Sequence, residues 1–144
     1  SNINSSNESS LIAELCMTKD NMAQDYINHS SNILKTLIST IDGAPKRVVI
    51  YGSGLSLTKL LYEENISKYK DKIIIIDDNE ALKGRVMPFS DLSISPLLVN
   101  SLEDVSDVIL TLNPIYHQKV MNRLHALSDN ISIHVVENYG ITRL

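Results

Sequence analysis

The chain is short of several things, and each shortage closes a class of function. Its 144 residues include a single cysteine, Cys16, so it has neither the pair needed for an internal disulfide nor the thiols of a metal cluster. Cys16 reads as an ordinary buried helix residue. No charged-then-apolar leader opens the sequence, and a reducing cytoplasmic setting is expected. Lysine and arginine number 13 against 17 acids, for a net charge of −4. With no basic cluster, a nucleic-acid partner is not expected. No apolar run approaches the roughly 20 residues of a membrane helix, so no membrane insertion is expected.

Familiar reaction motifs are missing too. There is no P-loop lysine signature, no Tyr-x-x-x-Lys pair and no Gly-x-Ser-x-Gly elbow. Ser56-Leu57-Thr58-Lys59 matches Ser-x-x-Lys only formally, because it falls inside a helix beside a glycine turn. His29, His125 and His134 are scattered without metal-ligand spacing. No catalytic residue is assigned, and the sequence leaves open whether the chain is an enzyme.

What is present is a core and a rhythm. Hydrophobic residues make up 43% of the chain, enough for one domain without metals or disulfides. Residues 1–10, SNINSSNESS, form a polar tail expected to be disordered. Residues 11–44 form an N-terminal helical segment. Leu11, Leu15, Met22, Tyr26, Ile33, Leu37 and Ile41 recur at helical spacings, with capping residues at Thr18–Asn21 and a stop at Asp42-Gly43-Ala44-Pro45. This segment is expected to pack on the rest of the chain, to form a homodimer or to dock a partner domain through residues 11–41.

From residue 45 to 144 strands and helices alternate. The expected strands are Arg47–Tyr51, Lys72–Ile76, a short one near Ser93–Val99, Asp107–Leu112 and Ile131–Val136, followed by a tail. Helices are expected at Leu55–Asn65 and from Asn113-Pro114 to Leu127, where Asn suits the N-cap and Pro the first turn. The fold class is therefore α/β, a Rossmann-like parallel sheet of about five strands with helices on both faces, preceded by the helical segment.

In such sheets a ligand sits at the carboxyl ends of the strands, where strand order reverses. Here the reversal falls between the first and fourth strands, which brings Gly52–Leu55 against Thr111–His117. Gly52 and Gly54 allow a sharp turn and close approach to a phosphate, and Ser53 and Ser56 add hydroxyl donors. The amides that open the next helix, with its dipole, favour an anion. The position of a third dinucleotide glycine is held by Leu57, which lowers the expectation of a standard NAD pose. Asp77 follows the second strand, where a carboxylate can accept both ribose hydroxyls, with Asp78 beside it. Arg85, in Lys83-Gly84-Arg85, could fork onto a phosphate. Asn113 and His117 stand on the loop and helix start across the crevice. A nucleotide sugar, NAD and S-adenosylmethionine all suit this geometry, and it does not choose among them.

Tyr51-Gly52-Ser53-Gly54, the run IIDDNEALKGRVMPFSDLSI and the run DVILTLNPIYHQKVMNRL together resemble the Rossmann-type domain of bacterial surface-sugar enzymes. One relative is the nucleotide-binding domain of nucleotide-sugar dehydratases and sugar acyltransferases. Their pattern Asp-Asp-x5-Gly-x4-Gly is met by Asp77, Asp78 and Gly84, while Phe89 or Ser90 stands near the later glycine. The other is the C-terminal domain of sugar C-methyltransferases, whose pattern is met by Tyr51-Gly52, Asp77, Gly84-Arg85 and Pro88, and by the helices before Pro45. The resemblance spans about residues 11–136. It implies a domain that binds a small-molecule nucleotide ligand and serves surface-carbohydrate biosynthesis without being catalytic alone. The alternatives are part of a sugar methyltransferase, an NAD-linked sugar-nucleotide enzyme, or an interaction domain whose crevice has lost its ligand.

Overall fold

The computed structural model describes residues 32–54, 57–58, 61–62, 66–137 and 140–144. The expected tail 1–10 and the expected helix over 11–31 lie outside the described residues. Helix α1, residues 32–43, ends at the predicted Gly43-Ala44-Pro45 stop. The chain then enters β1 (Arg47–Tyr51), becomes helical again at residues 57–58 and 61–62 (α2), and continues through β2 (Ile73–Ile76), β3 (Ile94–Ser95), β4 (Val105–Leu110), α3 (His117–Leu127), β5 (Ser132–Glu137) and β6 (Gly140–Arg143).

The sheet order is β3-β2-β1-β4-β5-β6. The first five strands in this order are all parallel, as the alternating pattern predicts. β6 corrects the expected tail: it pairs antiparallel with β5, with Glu137 opposite Gly140 and His134 opposite Arg143. The third strand is only Ile94–Ser95, because Pro96 cannot donate to a ladder. β4 begins at Val105 rather than Asp107, and its register against β1 skips one residue, so that Arg47 faces Val105 and Val48 faces Asp107. Ser106 is the extra residue of a bulge.

Period-two alternation divides the core into two layers. Val48, Ile50, Ile73, Ile75 and Ile109 face Leu37 and Ile41 of α1 and Leu57 and Leu61 of α2. Val49, Tyr51, Ile76, Val108 and Leu110 face Val120 and Leu124 of α3. Strands buried on both faces read as continuous apolar runs, which is why RVVIY and IIII were legible as strands. The described part of the N-terminal segment is thus a wall of the sheet's own core, since Leu37 and Ile41 are fully buried.

The link between β2 and β3 carries a 3-10 turn at Glu80–Leu82 and then a narrow hairpin. Met87 N–H donates to the Leu92 carbonyl at 2.8 Å and Ile94 N–H to that of Arg85 at 2.8 Å. Met87 and Leu92 plug the core edge. Gly84 has φ +78° and Phe89 has φ +61°. Phe89 therefore holds a left-handed backbone at the very position where the resembled pattern has glycine, a conformation costing roughly 1 kcal/mol without one.

Leu124 is fully buried between α3 and the sheet. Leu124→Ala is expected to lower the unfolding free energy by about 2–5 kcal/mol, read from urea denaturation followed by circular dichroism.

Candidate functional site

The crevice is built where β1 and β4 part. Gly52 continues the ladder, its N–H donating to the Ile76 carbonyl at 2.8 Å, and then turns with φ +114°. A side chain here is excluded twice over: a Cβ would stand 2.7 Å from Thr111 Oγ1 and 3.0 Å from the Leu112 nitrogen. Thr111 fastens the same turn, its hydroxyl lying 3.0 Å from the Tyr51 carbonyl and 2.7 Å from that of Gly52. The glycine is thus required by the approach of two strand ends, whatever else approaches it.

Asp77 closes the turn from the β2 side. Its Oδ2 accepts from the Ser53 N–H at 2.9 Å and the Ser53 hydroxyl at 2.7 Å, and its Oδ1 accepts from the Asn79 N–H at 2.8 Å. Burial alone would raise this carboxyl's pKa. The hydrogen bonds from the Ser53 hydroxyl and from the Asn79 and Ser53 amides favour the charged form and outweigh it, so Asp77 titrates below the ordinary carboxylate range. A carboxylate offers about four acceptor positions. Three are occupied, so accepting both hydroxyls of a ribose requires the Ser53 hydroxyl to turn away.

Asp78 points elsewhere. It accepts from the Tyr51 hydroxyl at 2.6 Å and from Arg123 at 2.9 Å. Burial first, and then the hydrogen bond and charge of Asp78, push the Tyr51 phenol well above its usual pKa. Partial burial opposes the charge on Arg123, but its bond to Asp78 raises its pKa nonetheless. The side chains of Arg123 and Asp78 are 40% and 46% exposed, so this ion pair is a weak, salt-screened tie. Neither Tyr51 nor Arg123 was given a site role from the sequence, where Tyr51 entered only as part of the Tyr51-Gly52 motif. An aromatic closing an apolar strand reads as core, and Arg123 lies 45 residues from its partner.

The other predicted residues fall into place unevenly. Asn113 caps the turn Pro114–Tyr116, its side chain accepting from the Ile115 N–H at 3.1 Å. His117 opens α3, its Nε2 lying 3.1 Å from the Leu112 carbonyl, so the half-buried ring is pinned to the β4 loop. Gly54 lies at the helix entrance, and its carbonyl accepts from the Thr58 N–H at 3.1 Å. Leu57 is buried between α2 and the sheet, filling the space that a third glycine would leave open. Arg85 is exposed on the hairpin, and among the described residues no hydrogen bond or ion pair joins its side chain to the turn. Ser56 lies outside the described residues. The structure therefore gathers Gly52, Ser53 and Asp77 into one hydrogen-bonded unit, links Asp78 to α3, and sets Asn113 and His117 on the facing loop.

No protein-family model matches the chain, and no curated protein matches it. Solved structures do. The UDP-D-quinovosamine 4-dehydrogenase of Vibrio fischeri matches with TM-score 0.50 at 16% identity, covering 69% of this chain and 93% of that one. RSP, a Rex-family repressor, matches with TM-score 0.45 at 19% identity, over 71% of this chain and 57% of that one. Its complex with β-NADH matches with TM-score 0.45 at 18% identity. At 16% identity the first likeness bears on the fold alone, which is Rossmann-like.

Two outcomes test this geometry. Gly52→Ala forces a left-handed backbone and a clash together, and should cost more than about 1 kcal/mol in denaturant unfolding. In a carbon-13 NMR titration, the Asp77 carboxyl should titrate below the reference of about 3.9, and Ser53→Ala should raise it. Because the folded pKa is depressed, the stability tied to this carboxylate is present above about pH 4 and is lost as pH falls through the lower folded value.

Proposed function

We propose that the crevice at the carboxyl ends of β1, β2 and β4 binds a nucleotide or nucleotide sugar, in service of bacterial surface-carbohydrate biosynthesis, and that the domain does no chemistry alone. The observation that carries this reading is the charged Asp77 carboxylate at the end of β2, held by Ser53 at the mouth of the glycine turn. A pre-oriented carboxylate on which the described residues fill three of about four acceptor positions suits a ribose hydroxyl. The helix entrance beyond Gly54 suits the phosphates. Leu57 favours a nucleotide sugar over the standard NAD pose, and S-adenosylmethionine shares the ribose but lacks the phosphates. The shared fold of a dehydrogenase named for a UDP-sugar lies in the same direction. Arg85 and His117 are proposed as outer contacts.

A second reading rests on the same hydrogen bonds. Ser53 and Asp77 satisfy one another without a ligand, as they would in an interaction domain with a closed crevice. Titration calorimetry separates the two. UDP, dTDP, GDP, UDP-N-acetylglucosamine, NAD and S-adenosylmethionine would be titrated into wild type and Asp77→Asn, with circular dichroism to check that the variant folds. Binding of a nucleotide or nucleotide sugar, weakened by about tenfold or more in Asp77→Asn (about 1.4 kcal/mol), is the expected result. Saturation at 100 times Kd should also stabilise the fold by about 2.7 kcal/mol. No heat with any of the six favours the closed crevice and sinks the first reading.

A further inference from the structure

A cleft of about 420 Å3 opens away from the crevice, between the last turn of α1 and strands β4, β5 and β6. Asp107 lies in its wall, four residues before Thr111 and so roughly 13 Å along the strand from the glycine turn. We infer that this cleft is a second ligand site, taking a small hydroxylated anion of the size of one sugar unit, a sugar phosphate or a sugar acid, gripped by Arg143 and read by His134 and the hydroxyls around it.

The first argument is the local loss of apolar character. Both faces of a parallel sheet are ordinarily apolar. Over β1 and β2 this holds, with Val48, Ile50, Ile73 and Ile75 facing α1 and α2. On the opposite face of β4 and β5 it also holds, with Val108, Leu110, Ile133 and Val135. On the α1 side of β4 and β5 the apolar face persists only at Ile109 and Val136; the stretch nearer the amino ends carries Asp107, Ser132 and His134 instead, and all three line the cleft. Asp107 is 9% exposed and is the one buried charged residue among those described.

The second argument is how Asp107 is held. Its Oδ1 lies 2.8 Å from His134 Nε2, and its Oδ2 accepts from the Ser106 hydroxyl at 2.7 Å. The Ser106 hydroxyl in turn accepts from the Lys46 N–H at 3.1 Å. Ser106 is the residue added by the β4 bulge, and bulges re-aim side chains beside functional sites. A carboxylate can only accept, so His134 Nε2–H donates to Asp107, and Nδ1 is the ring nitrogen left to face a ligand. Packing does not call for this pair. Apolar residues of similar volume serve a sheet face as well or better than a buried ion-capable pair.

The third argument is the complementary chemistry of the remaining wall. Arg143 lines the cleft from the edge strand, and among the described residues no carboxylate lies within ion-pairing distance of it. Its planar fork suits a phosphate or a carboxylate. Thr40 donates its own hydroxyl proton to the Thr36 carbonyl at 2.8 Å, so toward the cleft it offers lone pairs to a ligand hydroxyl. Ser39 and Asn130 add further polar groups. Among the described residues no phenyl, phenol or indole ring lines the cleft, so these offer no platform for a stacked nucleobase. Its volume is near the lower end of the usual range of about 300–1,000 Å3 for ligand sites.

The test is titration calorimetry of the full chain with glucose 1-phosphate, glucuronate, glucose and inorganic phosphate, with nitrogen-15 NMR of the His134 ring. One or both sugar anions should bind, more tightly than glucose or phosphate alone, and should shift the Nδ1 resonance. Glucose 1-phosphate alone would identify the phosphate class, glucuronate alone the sugar acids. Arg143→Gln should weaken binding at least tenfold, and Asp77→Asn should leave it unchanged. Arg143 is exposed on the sheet edge, so its substitution decides the matter even if His134→Gln fails to fold. Absence of binding by all four probes, binding unaltered in Arg143→Gln, or binding lost in Asp77→Asn would each overturn the inference.

Discussion

The crevice depends on one carboxylate. Asp77 joins the end of β2 to the turn after β1 through both the amide and the hydroxyl of Ser53. Parallel strands share no tight turn, so nothing in the ladder itself fixes the loops beyond their ends. Gly52 supplies the backbone freedom, Thr111 ties the turn to β4, and Asp77 ties it to β2. Three strand ends from distant parts of the sequence are thereby fixed relative to one another. The depressed pKa of Asp77 keeps the tie charged at neutral pH, when a bond to a carboxylate is strongest.

The neighbouring acid has a different job because its environment differs. Asp78 reaches the buried Tyr51 phenol and the half-exposed Arg123. The phenol bond is sheltered and short, while the guanidinium bond is open to solvent. One element of this chain therefore connects the crevice floor, the β2 loop and the outer layer. Tyr51 belongs to the core facing α3 while its hydroxyl serves the crevice side. Two adjacent identical residues thus divide the work, Asp77 holding the turn and Asp78 bonding the Tyr51 phenol with a weaker, exposed tie to Arg123 of α3.

How much of this was legible in the sequence follows from what sets each feature. Runs such as Val48-Val49-Ile50 and Ile73–Ile76 announce strands because β-branched residues suit a doubly buried pleat. Gly52 and Asp77 were legible because each sits at the end of such a run. β6 was not: Ile141 and Thr142 are too short a signal to distinguish a strand from a tail, and the pairing with β5 comes from tertiary contact. Tyr51, Arg123 and the Asp107–His134 pair were missed for a related reason. Their meaning lies in partners 27 to 45 residues away, and no local periodicity carries it. One signal did exist: an acid inside VSDVIL breaks an apolar strand without ending it, and such a break needs a polar partner.

The hydrogen bonds at the turn also restrict how an anion can enter. A glycine turn attracts phosphate because its amides are free and the helix dipole lies behind them. Here the Gly52 amide is taken by the Ile76 carbonyl and the Ser53 amide by Asp77. A phosphate bound as proposed would therefore find neither of these two amides free. It must also keep its distance from the Asp77 charge, since two anions on adjacent amides repel. A hydroxyl has no such conflict, because it donates to the carboxylate. On the proposed reading, the carboxylate that ties the turn would also orient an incoming nucleotide, its ribose toward β2 and its phosphate toward α2.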